Sequence, residues 1–305
     1  MNILITGGCG FIGNTLAHTL KKDHNVTVFD IDTYWIDYIK DIKYISGDIT
    51  DYNTLRQCLK GIDVVYHLAG VSNTMECVKN PLHAIDINCK GTANVLQACR
   101  QTGVSRIILA GSSLISTLTF DNSPSNIVDV EKSNHIYVTT KLFQEMLVRD
   151  FEAMYGLPYT ILRYGICYGP GMTPGVVVYN FVKQALEGKP MTIHGDGSQW
   201  RQYIYVGDLV EANVKVLDRP PTKNSTLNIV PFEKIRVIDI AHAICKEIPE
   251  ATIKFEASRS HDLDVKYMHP DKSYAVLYWG DNITSLQEGI RKTIEYYRKY
   301  GFGWG

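Results

Sequence analysis

No two cysteines in this sequence stand at C-x-x-C spacing, and no His/Cys cluster has the spacing of zinc ligands. The seven cysteines (Cys9, Cys58, Cys77, Cys89, Cys99, Cys167, Cys245) are dispersed over 305 residues. That excludes a disulfide scaffold, gives no candidate metal site, and reads as buried thiols in a reducing compartment. No apolar run approaches the roughly 18 residues of a membrane span, so no membrane association is expected. Neither sign of charge dominates: 31 Lys and Arg face 32 Asp and Glu, for a net charge of −1. There is no electrostatic case for nucleic acid or an anionic lipid surface. Internal repeats and low-complexity segments are also lacking. The opening "MNILITGG" already reads as a strand, which gives the expectation of no signal peptide and a cytoplasmic location.

What is present is an ordinary globular composition, 45% hydrophobic and 21% charged, with enough length for one large domain or two. In the first half, short apolar runs at 2–6, 25–30, 42–48, 63–69, 106–112 and 159–164 alternate with amphipathic stretches at 11–22, 51–60, 83–102 and 137–156. Continuous apolar strands separated by helices predict a doubly wound parallel α/β sheet of the Rossmann type. From about residue 166 the rhythm breaks at the Gly/Pro loop "YGPGMTPG" and a less regular α/β set follows. The expected division is a dinucleotide-binding domain over 1–165, with 201–218 returning to it, and a smaller substrate lobe over 166–305. A cleft between the lobes is the expected ligand site.

The run "LITGGCGFIG" sets Gly7, Gly10 and Gly13 between the first strand and the first helix. Gly7 allows the tight turn, Gly10 lets backbone N–H groups approach a pyrophosphate, and Gly13 lets helix and strand pack closely. Asp30 ends the second strand, twenty residues after Gly10. A carboxylate there binds ribose hydroxyls and repels a 2′-phosphate, which favours NAD over NADP. Further on, "HIYVTTKLF" places Tyr137 and Lys141 four residues apart, on one face of a helix. By itself such a pair reads either as a half-buried ring with a solvated amine or as a proton-transfer pair whose cation lowers the phenol's pKa.

Taken together, "TGGCGFIG" and "YVTTK" give a chain that resembles the extended short-chain dehydrogenase/reductase family, in its nucleotide-sugar branch and most nearly the UDP-glucose 4-epimerase group. The resemblance covers nearly the whole chain and implies NAD as cofactor, a UDP-sugar as substrate and a homodimer. It assigns Ser113, 24 residues before Tyr137, with Tyr137 and Lys141, to catalysis. It places Phe11 and Ile12 of the glycine loop, Asp48 and Ile49 of "GDITD", Leu68, Ala69 and Gly70 of "HLAG", Asn88, Tyr164, Tyr137 and Lys141 at the cofactor. The "GDGSQWRQYIYVGDLVEA" and "SRSHDLDVKYMHPDKSYAVLYW" blocks match segments whose arginines contact the substrate diphosphate, here Arg201 and Arg259. Asn180 adds an amide on the helix after the Gly/Pro loop. Each assignment has a plainer counterpart: a strand-end cap for Ser113, salt bridges for the arginines, a surface position for Asn180. Cys9 reads as a small side chain under the loop and His67 as a hydrogen-bonded core histidine, while His194 and His261 are possible cleft residues only.

The implied reaction is transient oxidation at C4, with Tyr137 taking the hydroxyl proton while hydride passes to NAD. Lys141 and the oxidised nicotinamide are expected to bring the phenol toward neutrality. Dehydratases of the branch carry an Asp-Glu pair after the catalytic hydroxyl, and UDP-glucuronate decarboxylases carry a Glu in that stretch. Here Leu114 and Ile115 follow Ser113 and cannot exchange protons. Ile166 stands where an Asn normally holds the diphosphate, and the usual "VYG" is replaced in "LISTLTFDNSPSN". The segment "VVVYNFVKQALEGKP" is more like the decarboxylases. The alternatives to an epimerase are a nucleotide-sugar reductase or dehydrogenase, a decarboxylase-like enzyme, and a non-catalytic NAD-binding protein.

Overall fold

A computed structural model of the chain describes residues 1–31, 41–119, 128–258, 265–277 and 283–302. In chain order the first half runs β1 (Asn2–Thr6), α1 (Phe11–Leu20), β2 (Asn25–Asp30), β3 (Lys43–Ser46), α2 (Tyr52–Cys58) and β4 (Val64–His67). Two short helices follow, α3 (Thr74–Lys79) and α4 (Pro81–Ile85). Next are a π-helical turn (Asp86–Gly91), α5 (Thr92–Thr102), β5 (Arg106–Ser112), a 3-10 turn (Ser113–Leu118), α6 (Ile136–Tyr155) and β6 (Tyr159–Tyr164). These strands form one parallel sheet, in which every residue of β4, β5 and β6 is buried. Burial on both faces is why apolar residues predominate along these strands rather than alternating with exposed polar ones.

The second half contains β7 (Ile166–Tyr168), α7 (Val177–Leu186), β8 (Met191–His194), β9 (Trp200–Arg201), β10 (Tyr203–Tyr205) and α8 (Val206–Lys215). It continues with β11 (Ser225–Ile229), β12 (Ile235–Arg236), α9 (Val237–Glu247), β13 (Ile253–Glu256), α10 (Asp271–Leu277) and α11 (Leu286–Tyr300). The pairs β7–β10, β9–β12 and β8–β13 build three small two-stranded sheets. Their core gathers Tyr168, Phe181, Ile193, Ile240, Ile294 and Tyr297.

The two lobes interleave across residue 165. Helix α8 lies against α1, with Leu209, Val210 and Ala212 in the same core as Leu16 and Ala17. Strand β11 then adds to the edge of the main sheet, giving seven strands in the order β11-β6-β5-β4-β1-β2-β3. Gly165 is the crossing point: a Cβ there would lie 2.7 Å from the Gln202 carbonyl oxygen, leaving no room for a side chain. Gln202 itself is buried and ties the crossing together, donating to the carbonyls of Pro231 and Met268 and accepting from the Met268 N–H.

Candidate active site

The glycine loop is a cradle with no space for side chains. Gly7 has φ +71°, and a Cβ on it would meet the Ala69 backbone nitrogen at 2.6 Å. A Cβ on Gly13 would lie 2.2 Å from the Gly7 carbonyl oxygen. The N-terminus of α1, capped by Gly10, carries no acidic residue in its first turn. Its backbone N–H groups and helix dipole suit this terminus to an anion. A pyrophosphate fits this backbone; Phe11 and Ile12 supply its first helical residues. Asp30 stands at the end of β2 as expected, and one of its oxygens is already committed: Cys9 N–H donates to Oδ2 at 2.8 Å. The carboxylate therefore lashes the loop to β2.

Around the rest of the dinucleotide path the expected residues divide by role. Asp48 accepts from the Thr50 N–H at 2.7 Å, fixing the turn after β3. The Ile49 side chain is buried in the core, while its carbonyl accepts from Asn94. Leu68 and Ala69 are half-buried and Gly70 is exposed where β4 ends. Asn88 is fully buried in the π-turn. Its Oδ1 accepts from Val71 N–H at 2.8 Å, and its Nδ2 donates to Val71 O at 3.1 Å and to Thr140 Oγ1 at 3.0 Å. It thus stitches the β4 loop to α6. Tyr164 is different: its ring is in the core and its hydroxyl donates to Asn213 Oδ1 at 2.6 Å, so the side chain is spent inside the protein. His67 is the core histidine expected, its ring between Thr6 Oγ1 at 2.7 Å and Thr92 Oγ1 at 2.9 Å. Burial pushes it down to about 3, which keeps it neutral.

Tyr137 and Lys141 sit in the first turns of α6, each 7% exposed. The helix is started by His135, whose Nδ1 accepts the Tyr137 N–H at 3.1 Å. Lys141 Nζ reaches across to the sheet and donates to Ala110 O at 3.0 Å. Burial pushes Lys141 down to about 8, opposed first by the Glu145 charge. Among the protein's own groups, it is burial that shifts the phenol most. Burial pushes Tyr137 up to about 12, and the opposing hydrogen bond comes from the Ser112 hydroxyl. In a dry site, desolvation of a phenolate outweighs one hydroxyl donor.

Ser112 is one residue before the serine that the sequence singles out. It ends β5, is 7% exposed, and also caps the 3-10 turn by accepting from the Leu114 N–H at 3.2 Å. Ser113 opens that turn half-buried. Counting from Ser112, the next residues are Ser113 and Leu114, so the absence of a carboxylate beside the hydroxyl holds for either serine. The sequence reasoning also passed over Glu145, although it continues the four-residue interval from Tyr137 through Lys141.

The remaining described substrate candidates come from the second half of the chain. Arg201 is half-exposed on β9, its Nη1 donating to Trp200 O at 2.8 Å. Asn180 is exposed on α7. Ile166 is half-buried at the start of β7. Arg259 and His261 lie outside the described residues. Among the described residues, no group of three or more His, Cys, Asp or Glu could hold a metal ion. No helix among them is long and apolar enough to cross a membrane.

The family model for the NAD dependent epimerase/dehydratase family matches residues 3–229. A trifunctional UDP-glucose 4,6-dehydratase/UDP-4-keto-6-deoxy-D-glucose 3,5-epimerase/UDP-4-keto-L-rhamnose-reductase of Arabidopsis thaliana is 31% identical over 329 residues. That alignment covers 100% of this chain and 48% of the plant protein, so the chain spans about half of that relative's length. Among solved structures, a UDP-glucose 4-epimerase of Thermotoga maritima with UDP-glucose superposes with a TM-score of 0.90. It is 26% identical, with 98% of this chain and 99% of that chain covered. A UDP-glucuronic acid 4-epimerase of Bacillus cereus, in complex with UDP-glucuronic acid and NAD, also gives a TM-score of 0.90. It is 27% identical and the coverage is 98% and 99%.

Proposed function

The chain belongs to the NAD dependent epimerase/dehydratase family, and on that premise we propose that it is a UDP-sugar 4-epimerase with Tyr137 as its acid–base. The cofactor is NAD. It would be held by the backbone around Gly7, Gly10, Phe11, Ile12 and Gly13, by Asp30, by the 68–70 strand end and by Lys141. Bound there, it supplies a hydride acceptor that also returns the hydride, so the reaction needs no outside oxidant.

The protein's own part is the proton. Tyr137 Oη takes it from the sugar hydroxyl and later gives it back. The Ser112 hydroxyl hydrogen-bonds the Tyr137 phenol and, against burial, favours the ionised form that accepts the proton. Lys141, anchored on Ala110 O, carries positive charge one helical turn from the phenol. Burial of both side chains keeps water from the reacting centre. Arg201 and Arg259 are the proposed diphosphate contacts, since guanidinium forks match phosphate oxygens, and Asn180 is the proposed amide contact.

The observation that carries the reading is the hydroxyl–phenol–ammonium set with Ser113, Leu114 and Ile115 beside it in place of a carboxylate. Elimination of water, or a decarboxylase of the kind that uses a Glu in this stretch, needs a second acid–base group at that point. None of the seven cysteines forms a disulfide, which suits the proposed cytoplasmic location. The relevant experiment is to denature the purified protein, identify any released NAD(H), and screen UDP-sugars by mass spectrometry. A product of unchanged mass is expected. Loss of water or carbon dioxide would instead establish a dehydratase or decarboxylase, and a net-reduced product a reductase. Tyr137→Phe should abolish turnover while NAD binding stays nearly intact; near-wild-type activity in that variant would remove Tyr137 from its role.

A further inference from the structure

Tyr137, Lys141, Glu145 and Arg149 recur every four residues on α6 and share one helical face. The proposed chemistry uses the first two. Glu145 is fully buried and held from two sides. Arg163 of β6 donates Nε to its Oε1 at 2.8 Å and Nη2 to its Oε2 at 2.9 Å, while Arg149 Nη2 donates to Oε2 at 2.9 Å. The Arg163 side chain is itself only 3% exposed. Buried ion pairs of this kind are often no better for stability than apolar residues of similar volume, so stability is a weak reason for having one here.

Its neighbours suggest another reason. On its own helix Lys141 has Tyr137 one turn before it and Glu145 one turn after it; its electrostatic neighbours are Glu145, Cys77 from α3 and His67 from β4. The sheet side offers the Ala110 carbonyl. Glu145 is faced by Arg149 from its helix and Arg163 from β6, and on the π-turn Asp86 and Lys90 pair with each other at the surface. Within this set Glu145 is the one carboxylate aligned with the lysine. Cys77 and Tyr137 are held in their neutral forms by burial, and so is His67.

We propose that Glu145, fixed by Arg163 and Arg149, is a positioning residue that keeps the buried Lys141 ammonium charged one turn from Tyr137. Burial alone drives the lysine toward its neutral form, and a fixed anion one turn away opposes that drive.

This inference rests on the acid–base reading of Tyr137 and Lys141. Its test is the pH profile of kcat, in the full-length chain with NAD bound, for wild type, Glu145→Gln, Glu145→Asp and Arg149→Gln. Removing the anion lowers the Lys141 pKa, so the alkaline limb of Glu145→Gln should move down by about one pH unit. Glu145→Asp keeps the charge and should keep the limb. Arg149→Gln leaves the carboxylate less neutralised and should move the limb up by a few tenths. A folded Glu145→Gln with an unmoved limb overturns the proposal, as does an equal shift in Glu145→Asp. Should Glu145→Gln fail to fold, Arg149→Gln decides: an unmoved or lowered limb overturns it. An active Tyr137→Phe would sink the acid–base reading itself. An inactive Tyr137→Phe with no shift in the glutamate variants would sink only this step.

Discussion

Ser112 and Ser113 are chemically identical neighbours, and the fold gives them different work. Successive residues at a strand end point to opposite faces, so the pairing of β5 with β6 decides which hydroxyl reaches α6. Sequence spacing alone differs by one residue between the two and does not separate them. The consequence is measurable: Ser112→Ala should lower kcat by about 10²-fold, as expected for loss of a group assisting proton transfer. Ser113→Ala should stay within about threefold of wild type. Steady-state kinetics on NAD-loaded protein checks both, and a larger loss in Ser113→Ala would restore the first assignment. Asp30 and Tyr164 teach the same lesson at this scale. Asp30 is legible as an acid at a strand end, but its bond to the Cys9 N–H needs the loop's path. Tyr164 is legible as a strand residue, while its commitment to Asn213 needs helix α8.

The stretch 83–102 reads as one amphipathic helix and is built as three pieces, α4, a π-turn and α5. A π-turn has no sequence signature, because it adds one residue to the backbone repeat without changing which residue types are allowed. Here it places Asn88 where its amide can serve the β4 loop and α6 together. Gly91 then leaves room for Ile49, which a Cβ would meet at 2.5 Å. Asn88→Ala removes three hydrogen bonds and leaves the Val71 N–H and C=O without this partner. Loss of about 2 kcal/mol of stability is expected, with weaker NAD binding. Urea denaturation with and without added NAD tests this: an unchanged midpoint and an unchanged NAD effect would mean that Asn88 is not structural in this way. By contrast, α1, α6 and the first six strands of the main sheet were legible to within about two residues, since periodicity and flanking glycines mark them, whereas β11 was not.

At the scale of the whole molecule, the seven-stranded sheet is completed by a strand from the second half of the chain. β11 has a short, half-polar sequence, and its place beside β6 follows from the crossing at Gly165 and the packing of α8 on α1. The surface of the helical layer carries exposed apolar residues, among them Leu82 and Ile85 of α4 and Phe143 and Met146 of α6. We propose a homodimer through the helical stretches 83–102 and 137–156, which these exposed apolar side chains on adjoining helices support. Light scattering at micromolar concentration should give twice the chain mass. Phe143→Glu combined with Met146→Glu should shift it to the monomer without unfolding the protein. A wild-type monomer under those conditions would count against this interface.

The sequence by itself determined the class of fold, the dinucleotide cradle and the Tyr137/Lys141 pair. Each is written in local patterns: strand–glycine loop–helix order, an acid at the end of the second strand, and a four-residue helical interval. Tertiary structure decided which serine meets the phenol, what Asn88 holds, and that Glu145 lies buried between two arginines. These depend on strand register, a backbone irregularity and side chains brought together from distant parts of the chain. It also set the burial that pushes the Tyr137 phenol up, because burial is a property of the packed molecule.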